Sequence, residues 1–380
     1  MGFPREKDRE MMRIEAVQLR EIHLPLVHYF ETSFGRTYHR KIILVTVKTA
    51  LGLGYGECTA GEEPGYSSET TGTAWLVLSE FIIPVLLGKD IEDAKAVSPS
   101  LSPIRGHRMA KAAIETAVWD LDARLAGIPL SKQLGGVRGE IASGVSIGIQ
   151  DSIESLLEKV RAELAAGYRR IKIKIKPGWE LEPLRRIREE FPEVPLMVDA
   201  NSAFSLADIP LLRELDRFHL MMIEQPLAHD DIVDHAVLQK ELATPICLDE
   251  SIHSLEDARK AIEMGSCRVI NVKLGRVGGH SEAIRINDYC ARHGIPVWCG
   301  GMLESGIGRA HNIAMSTLSA FTLPGDVSAS KRYFAEDTIR PPVEVSPRGT
   351  ICVPDKPGIG YDVDWERVQR ATVRVQDFAL

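Results

Sequence analysis

The rhythm of apolar and polar positions changes near residue 140. Before that point, residues 13–27 and 41–49 alternate as strands do, and residues 70–87 and 108–126 carry helical spacing. The second helical stretch is alanine-rich, and Gly127 followed by Pro129 closes it. Gly52, Gly54 and Gly56 read as a glycine-rich turn between strands. Beyond residue 141, short apolar runs alternate with amphipathic helices, the pattern of βαβ units. The runs fall at 142–149, 171–175, 195–198, 220–223, 245–248, 269–272, 296–299 and, most weakly, 325–328. Ser146, Lys174, Asp199, Glu224, Asp249, Lys273, Gly300 and Asp326 mark them, 24 to 28 residues apart.

A repeat of that length also suits a leucine-rich solenoid, but no LxxLxL pattern recurs and the helical stretches are too long. Eight strand–helix units predict an α/β fold, a (β/α)8 TIM barrel. The barrel is expected over residues 137–335, with an N-terminal α+β capping domain over 12–136. Residues 336–380 are expected to pack back on the capping domain and complete it, and residues 1–11 to form a disordered arm.

Composition narrows the function. The chain has 380 residues, 44% hydrophobic and 26% charged, with a formal net charge of −7 and interspersed signs. No basic stripe or zinc-finger spacing invites nucleic acid. No apolar run approaches the roughly 18 residues that span a membrane. The charged N-terminus does not resemble a signal peptide. Six cysteines without a CxxC pair read as reduced thiols, so a cytoplasmic location is expected.

Barrel active sites form at the C-terminal ends of the strands. Three consecutive runs end in acids: Asp199, Glu224 and Asp249. Neighbouring strands lie about 4.8 Å apart, so these carboxylates repel unless a cation neutralises them. All-oxygen ligands favour Mg2+, with Mn2+ as the other hard ion that suits them. Lysines flank the acids. In Lys172-Ile173-Lys174 the isoleucines are expected to pack outward and the lysines to enter the lumen. Lys273 ends the run after the last acid. Lys174 and Lys273 are therefore expected on opposite sides of the metal, their pKa values depressed toward neutrality by burial and cationic neighbours. One lysine takes the proton beside a metal-held carboxylate, and the enediolate is held by the metal and Lys172. Glu250 is expected to hydrogen-bond a barrel lysine. Arg276 reads either as a neighbour tuning Lys273 or as a solvated turn residue, and Lys176 and Lys331 have no assigned role.

These residues resemble the enolase superfamily, in its muconate-cycloisomerase-like subgroup. Residues 300–309, 273–279 and 325–330 look closest to the branch of o-succinylbenzoate synthases and N-succinylamino acid racemases. The resemblance implies Asp199, Glu224 and Asp249 as metal ligands, Lys174 and Lys273 as the acid/base pair, and Lys172 as support for the enediolate. It implies that Ser146, Asn201, Gly301 and Met302 line the substrate site. It also implies a mobile capping loop over residues 30–38, including Phe34, with residues 54–65 as its companion. The seventh run reads Trp298-Cys299-Gly300, without the histidine of mandelate-racemase-like members. The eighth reads Asp326-Val327-Ser328, without the Asp-x-Asp of dipeptide epimerases.

The reading is metal-dependent α-proton abstraction, giving racemisation of N-succinyl (N-acyl) amino acids and/or syn-dehydration to o-succinylbenzoate. A muconate-type cycloisomerase or dipeptide epimerase stays open, as does a catalytically silent metal-binding barrel. The expected partners are a small-molecule carboxylate and further copies of the chain, with neither nucleic acid nor membrane.

Overall fold

Alternation between apolar and polar residues is sustained long enough to build a hairpin of unusual reach. In the computed structural model, which describes residues 11–33 and 35–380, β1 (Ala16–Thr32) pairs antiparallel with β2 (Gly35–Thr49). β2 pairs in turn with β3 (Gly52–Cys58). Gly52, Gly54 and Gly56 thus lie within a strand rather than in a turn. The reason is packing: helix α1 (Arg108–Leu125) crosses so closely that a Cβ at Gly54 would stand 2.1 Å from the Ala117 carbonyl oxygen. A Cβ at Gly56 would be equally close to that of Ala113.

The barrel strands are short and parallel. They run β4 (Val145–Ile147), β5 (Ile171–Lys174), β6 (Leu196–Asp199), β7 (Ile223–Glu224), β8 (Ile246–Leu248), β9 (Val269–Val272) and β10 (Val297–Cys299), hydrogen-bonded in that order. Amphipathic helices separate them. Helix α2 (Ile153–Ala165) starts at Ser152, whose hydroxyl accepts from the Ser155 amide. Helix α3 (Leu255–Met264) is capped likewise by Ser254 and ends at Gly265, which takes the left-handed conformation that glycine tolerates best.

The eighth run does not form a regular strand. Residues near Gly325 close the ring by scattered bonds: the Gly144 amide donates to Gly325 O at 2.7 Å, and the Asp326 amide to Cys299 O at 2.8 Å. Pro324 has no N–H to continue a ladder there. The result is a TIM-barrel-like sheet closed by an irregular segment.

Ile171, Ile173 and Ile175 join the main core, whereas Met197, Met222, Cys247, Val269 and Trp298 form a separate apolar cluster. Period-two alternation places that cluster on the lumen face, below the charged strand ends. The last strand, β11 (Thr372–Ala379), adds to the free edge of β1, giving the sheet order β11-β1-β2-β3. Among the described residues no helix is long and apolar enough to cross a membrane. All six cysteines are free thiols, five of them buried.

Candidate active site

The acids and lysines marked by the repeat meet at one end of the barrel. Lys174 pairs in register with Asp199, and Asp199 with Glu224, so three successive strands bring charge to one level. Lys174 Nζ donates to Asp199 Oδ2 at 2.5 Å and to Asn201 Oδ1 at 2.7 Å. Lys172 Nζ lies 2.9 Å from Glu224 Oε2, 3.4 Å from Asp199 Oδ2 and 2.6 Å from Asp326 Oδ2. At the other end of the acid row, Lys273 Nζ donates to Asp249 Oδ2 at 2.7 Å. Lys174 and Lys273 thus flank the row, with β6, β7 and β8 between their strands. All eight of these side chains are buried.

The three acids do not form a closed cluster of their own. Among the described residues no three Asp, Glu, His or Cys side chains stand close enough together to hold an ion. Each carboxylate faces an ammonium or guanidinium instead. Crowding of like charge is nonetheless evident. Burial, reinforced by the charge of Asp199, pushes both Glu224 and Glu250 above the usual carboxylate range. Asp199 goes the other way: burial raises it, and Lys174 and Lys172 outweigh that. Glu250 accepts from Asn201 Nδ2 at 2.9 Å rather than from a lysine, and its Oε2 is buried with no partner among the described residues. The donors are buried carboxylate oxygens, the chemistry that a hard divalent cation takes, although the three do not converge here and the orphaned oxygen is that of Glu250 beside them.

The expected depression of the lysine pKa is not what this arrangement gives Lys273. Burial lowers it, but Tyr66, Glu250, Glu224 and Asp199 outweigh burial and push it upward. Lys172 is raised too, by Asp326, Glu224 and Asp199 against the same burial. Acidic groups outweigh the cations within reach of each ammonium, and spacing along the chain does not weigh the one against the other.

A cavity of about 140 Å3 opens over these groups. Ser146, Asn201, Gly301 and Met302 line it, and Ser146 Oγ is buried with no partner among the described residues. Phe34 lies outside the described residues. Its neighbours form the tip of the β1–β2 hairpin, not an irregular loop. That tip is held to the barrel: Ser33 Oγ donates to Asn201 O at 3.2 Å and the Ile149 amide to Glu31 O at 3.1 Å. Lys176 lies 3.6 Å from Glu31, which gives it a place in that contact. A larger cavity of about 420 Å3 beside the hairpin shares Phe30 and Tyr333 with the first but none of its lysines. Lys172, Lys174 and Lys273 all line the smaller one.

Four non-glycine residues that follow barrel strand ends, Asn201, Ser202, Gln225 and Leu303, have φ between 38° and 64°, and Asn201 and Leu303 line the cavity. Such backbone strain gathers where a site needs geometry that relaxed chain does not supply.

Several groups of the site carry no signal that the sequence pattern could show. Tyr66 OH donates to Asp249 Oδ1 at 3.1 Å and accepts from Lys273 Nζ at 3.1 Å, from an irregular segment with no period to mark it. Arg276 is buried, not solvated, and its guanidinium bonds Asp249, Ile252 O and Asn271 O. Asp326, which marks the eighth run, pairs with both Lys172 and Arg170. Arg40 carries no such signal either: residues 42–45 are apolar and buried on both faces of the strand, and Thr46 and Lys48, of the same parity as Arg40, are polar and more exposed.

Comparison with known proteins identifies the family. Residues 155–368 match the enolase C-terminal domain-like family, and residues 14–135 the mandelate racemase / muconate lactonizing enzyme N-terminal domain. The chain belongs to the enolase superfamily, whose members are metal-dependent enzymes. It is 55% identical over 362 residues to an o-succinylbenzoate synthase of Geobacillus stearothermophilus, covering 95% of this chain and 96% of that protein. An N-succinylamino acid racemase of Thermus thermophilus is 49% identical over 95% of this chain and 98% of its own. A crystal structure of an enolase-superfamily member from Listeria innocua superposes with a TM-score of 0.93 at 43% identity, covering 97% of this chain and 99% of that one.

Proposed function

We propose that this enzyme removes the proton beside a substrate carboxylate, racemising N-succinyl (N-acyl) amino acids and dehydrating the o-succinylbenzoate precursor by syn elimination. One observation carries the reading: two buried lysines, Lys174 and Lys273, flank a row of three carboxylates from its two ends. An acid/base group on each side of a planar carbanion is what racemisation requires. The names of the relatives supply the N-succinyl and succinylbenzoate classes.

Asp199, Glu224 and Asp249 are the residues that would hold Mg2+, with Mn2+ the alternative. The bound ion supplies Lewis-acid polarisation of the substrate carboxylate. The chain's own residues do the rest. One lysine accepts the α-proton, and the Lys172 ammonium faces the charge that develops on the carboxylate. The opposite lysine returns a proton, giving the other enantiomer. In the dehydration, the lysine that took the α-proton returns it to the departing hydroxyl on the same face. The hairpin tip and the loop carrying Tyr66 exclude water.

The test is α-proton exchange followed by NMR in deuterated water, with N-succinyl amino acids and, in parallel, formation of o-succinylbenzoate from its precursor. Both reactions are expected, and EDTA is expected to stop them. Exchange that is absent, or unaffected by EDTA, would contradict the proposal.

A further inference from the structure

A buried arginine needs a carboxylate, and one arginine here lacks it. Four arginines are buried among the described residues: Arg40, Arg170, Arg276 and Arg309. Arg170 pairs with Asp326, Arg276 with Asp249 and Arg309 with Asp337. Arg40 is only 8% exposed, yet no described carboxylate lies within ion-pair distance of it. Its Nη2 donates to Thr59 O at 2.7 Å and Ala60 O at 3.3 Å, and its buried Nε has no partner among the described residues.

The nearest acids are committed elsewhere. Glu57 accepts from the Ser305 amide, the Ser305 hydroxyl and the Gly308 amide. Glu304 accepts from the Met302 amide and Asn312 Nδ2. An uncompensated buried guanidinium is destabilising, so its retention points to a partner that arrives from outside. Arg40 lines the same cavity as Lys172, Lys174 and Lys273.

Resting on the proposed function, we infer that Arg40 anchors the second, distal carboxylate of a dicarboxylate substrate. The α-carboxylate sits at the lysines and acids of the strand ends, and the carboxylate of the succinyl arm meets the free edge of the Arg40 guanidinium. A planar fork with unused N–H donors matches a carboxylate. The residue therefore selects for N-succinyl over neutral N-acyl groups, and it does so from the capping hairpin rather than the barrel.

The test is a cycle that removes the charge from each partner. Wild type, Arg40→Met and Arg40→Lys are compared on an N-succinyl amino acid and on its N-succinamoyl analogue, in which a neutral amide of the same shape replaces the distal carboxylate. Arg40→Met is expected to lower kcat/KM for the N-succinyl substrate about 30-fold, mainly through KM, and that for the analogue less than about 3-fold. Arg40→Lys, which keeps the charge but not the fork, should fall between. Equal losses on both substrates would mean that Arg40 only holds the Thr59–Ala60 backbone, and would overturn the inference; so would no loss on either. If Arg40→Met does not fold, Arg40→Lys and the wild-type preference between the two substrates distinguish the same outcomes. If wild type turns over neither substrate, the proposed function fails by itself. Calorimetric titration of the two compounds then tests Arg40 by binding alone, with the same expected ratio.

Discussion

Lys172 and Asp326 form a buried ion pair of 2.6 Å that ties the second barrel strand to the irregular eighth segment. Arg170 holds the same carboxylate at 2.7 Å, and both cations lie over the Trp298 ring. Asp326 thereby orients the Lys172 ammonium, which we propose faces the substrate, and helps close the ring where regular strand pairing fails. Replacing it leaves two buried cations short of a partner, a loss worth about 3–5 kcal/mol. Asp326→Asn is expected to lose stability of that order in denaturant melts and to lower kcat/KM by 10-fold or more. Burial raises the Asp326 pKa, but Lys172 and Arg170 outweigh burial and hold it below the usual carboxylate range. Its contribution is therefore present above the unfolded carboxylate pKa, about 4, and lost as pH falls further. The stability gap between wild type and Asp326→Asn should narrow below about pH 4.

Glu57 has the opposite sign. Burial pushes its carboxyl up to about 7, against the bonds from Ser305 and Gly308. The folded protein keeps this proton over a range in which the unfolded chain has released it. Stability contributed by Glu57 is thus present near pH 4 and declines as pH rises toward 7, by roughly 3 kcal/mol at most. Melting temperatures of wild type and Glu57→Gln between pH 5 and 8 should diverge in favour of the variant as pH rises. A constant difference would contradict the assignment.

Tyr66 touches both a proposed ligand and a proposed base, since its hydroxyl bonds Asp249 and Lys273. Tyr66→Phe keeps the ring against the Lys273 ammonium, 4.5 Å from its centroid, and removes only the hydroxyl. The expected outcome is a fall of about 10-fold in kcat, the cost of one hydrogen bond to a charged group. The melting temperature should move by only a few degrees.

The fold and site were most legible in the sequence where the physics is periodic. A 24- to 28-residue spacing located the strand ends, and strand alternation put Lys172 and Lys174 in the lumen and Ile171, Ile173 and Ile175 outside it. Contacts that are long-range and aperiodic stayed hidden. Gly54 and Gly56 looked like turn residues because the helix that needs their missing side chains lies some sixty residues away. Tyr66 and Glu250 are positioned by partners from other elements. The ionisation of Lys273 depends on which acids surround it in space, and neighbours along the chain do not disclose that.

The proposed racemisation requires Lys174 and Lys273 to serve opposite faces of one carbon. The pairs that remain after each deletion support folding of both variants: Asp199 keeps Lys172 when Lys174 is lost, and Asp249 keeps Arg276 when Lys273 is lost. The decisive measurement is enantiomer-resolved α-proton exchange in deuterated water by Lys174→Ala and Lys273→Ala. Each should lose interconversion by about 10³-fold or more, with any residual exchange confined to opposite enantiomers in the two variants. Interconversion near the wild-type rate in either, or residual exchange of the same enantiomer in both, would contradict the two-face arrangement.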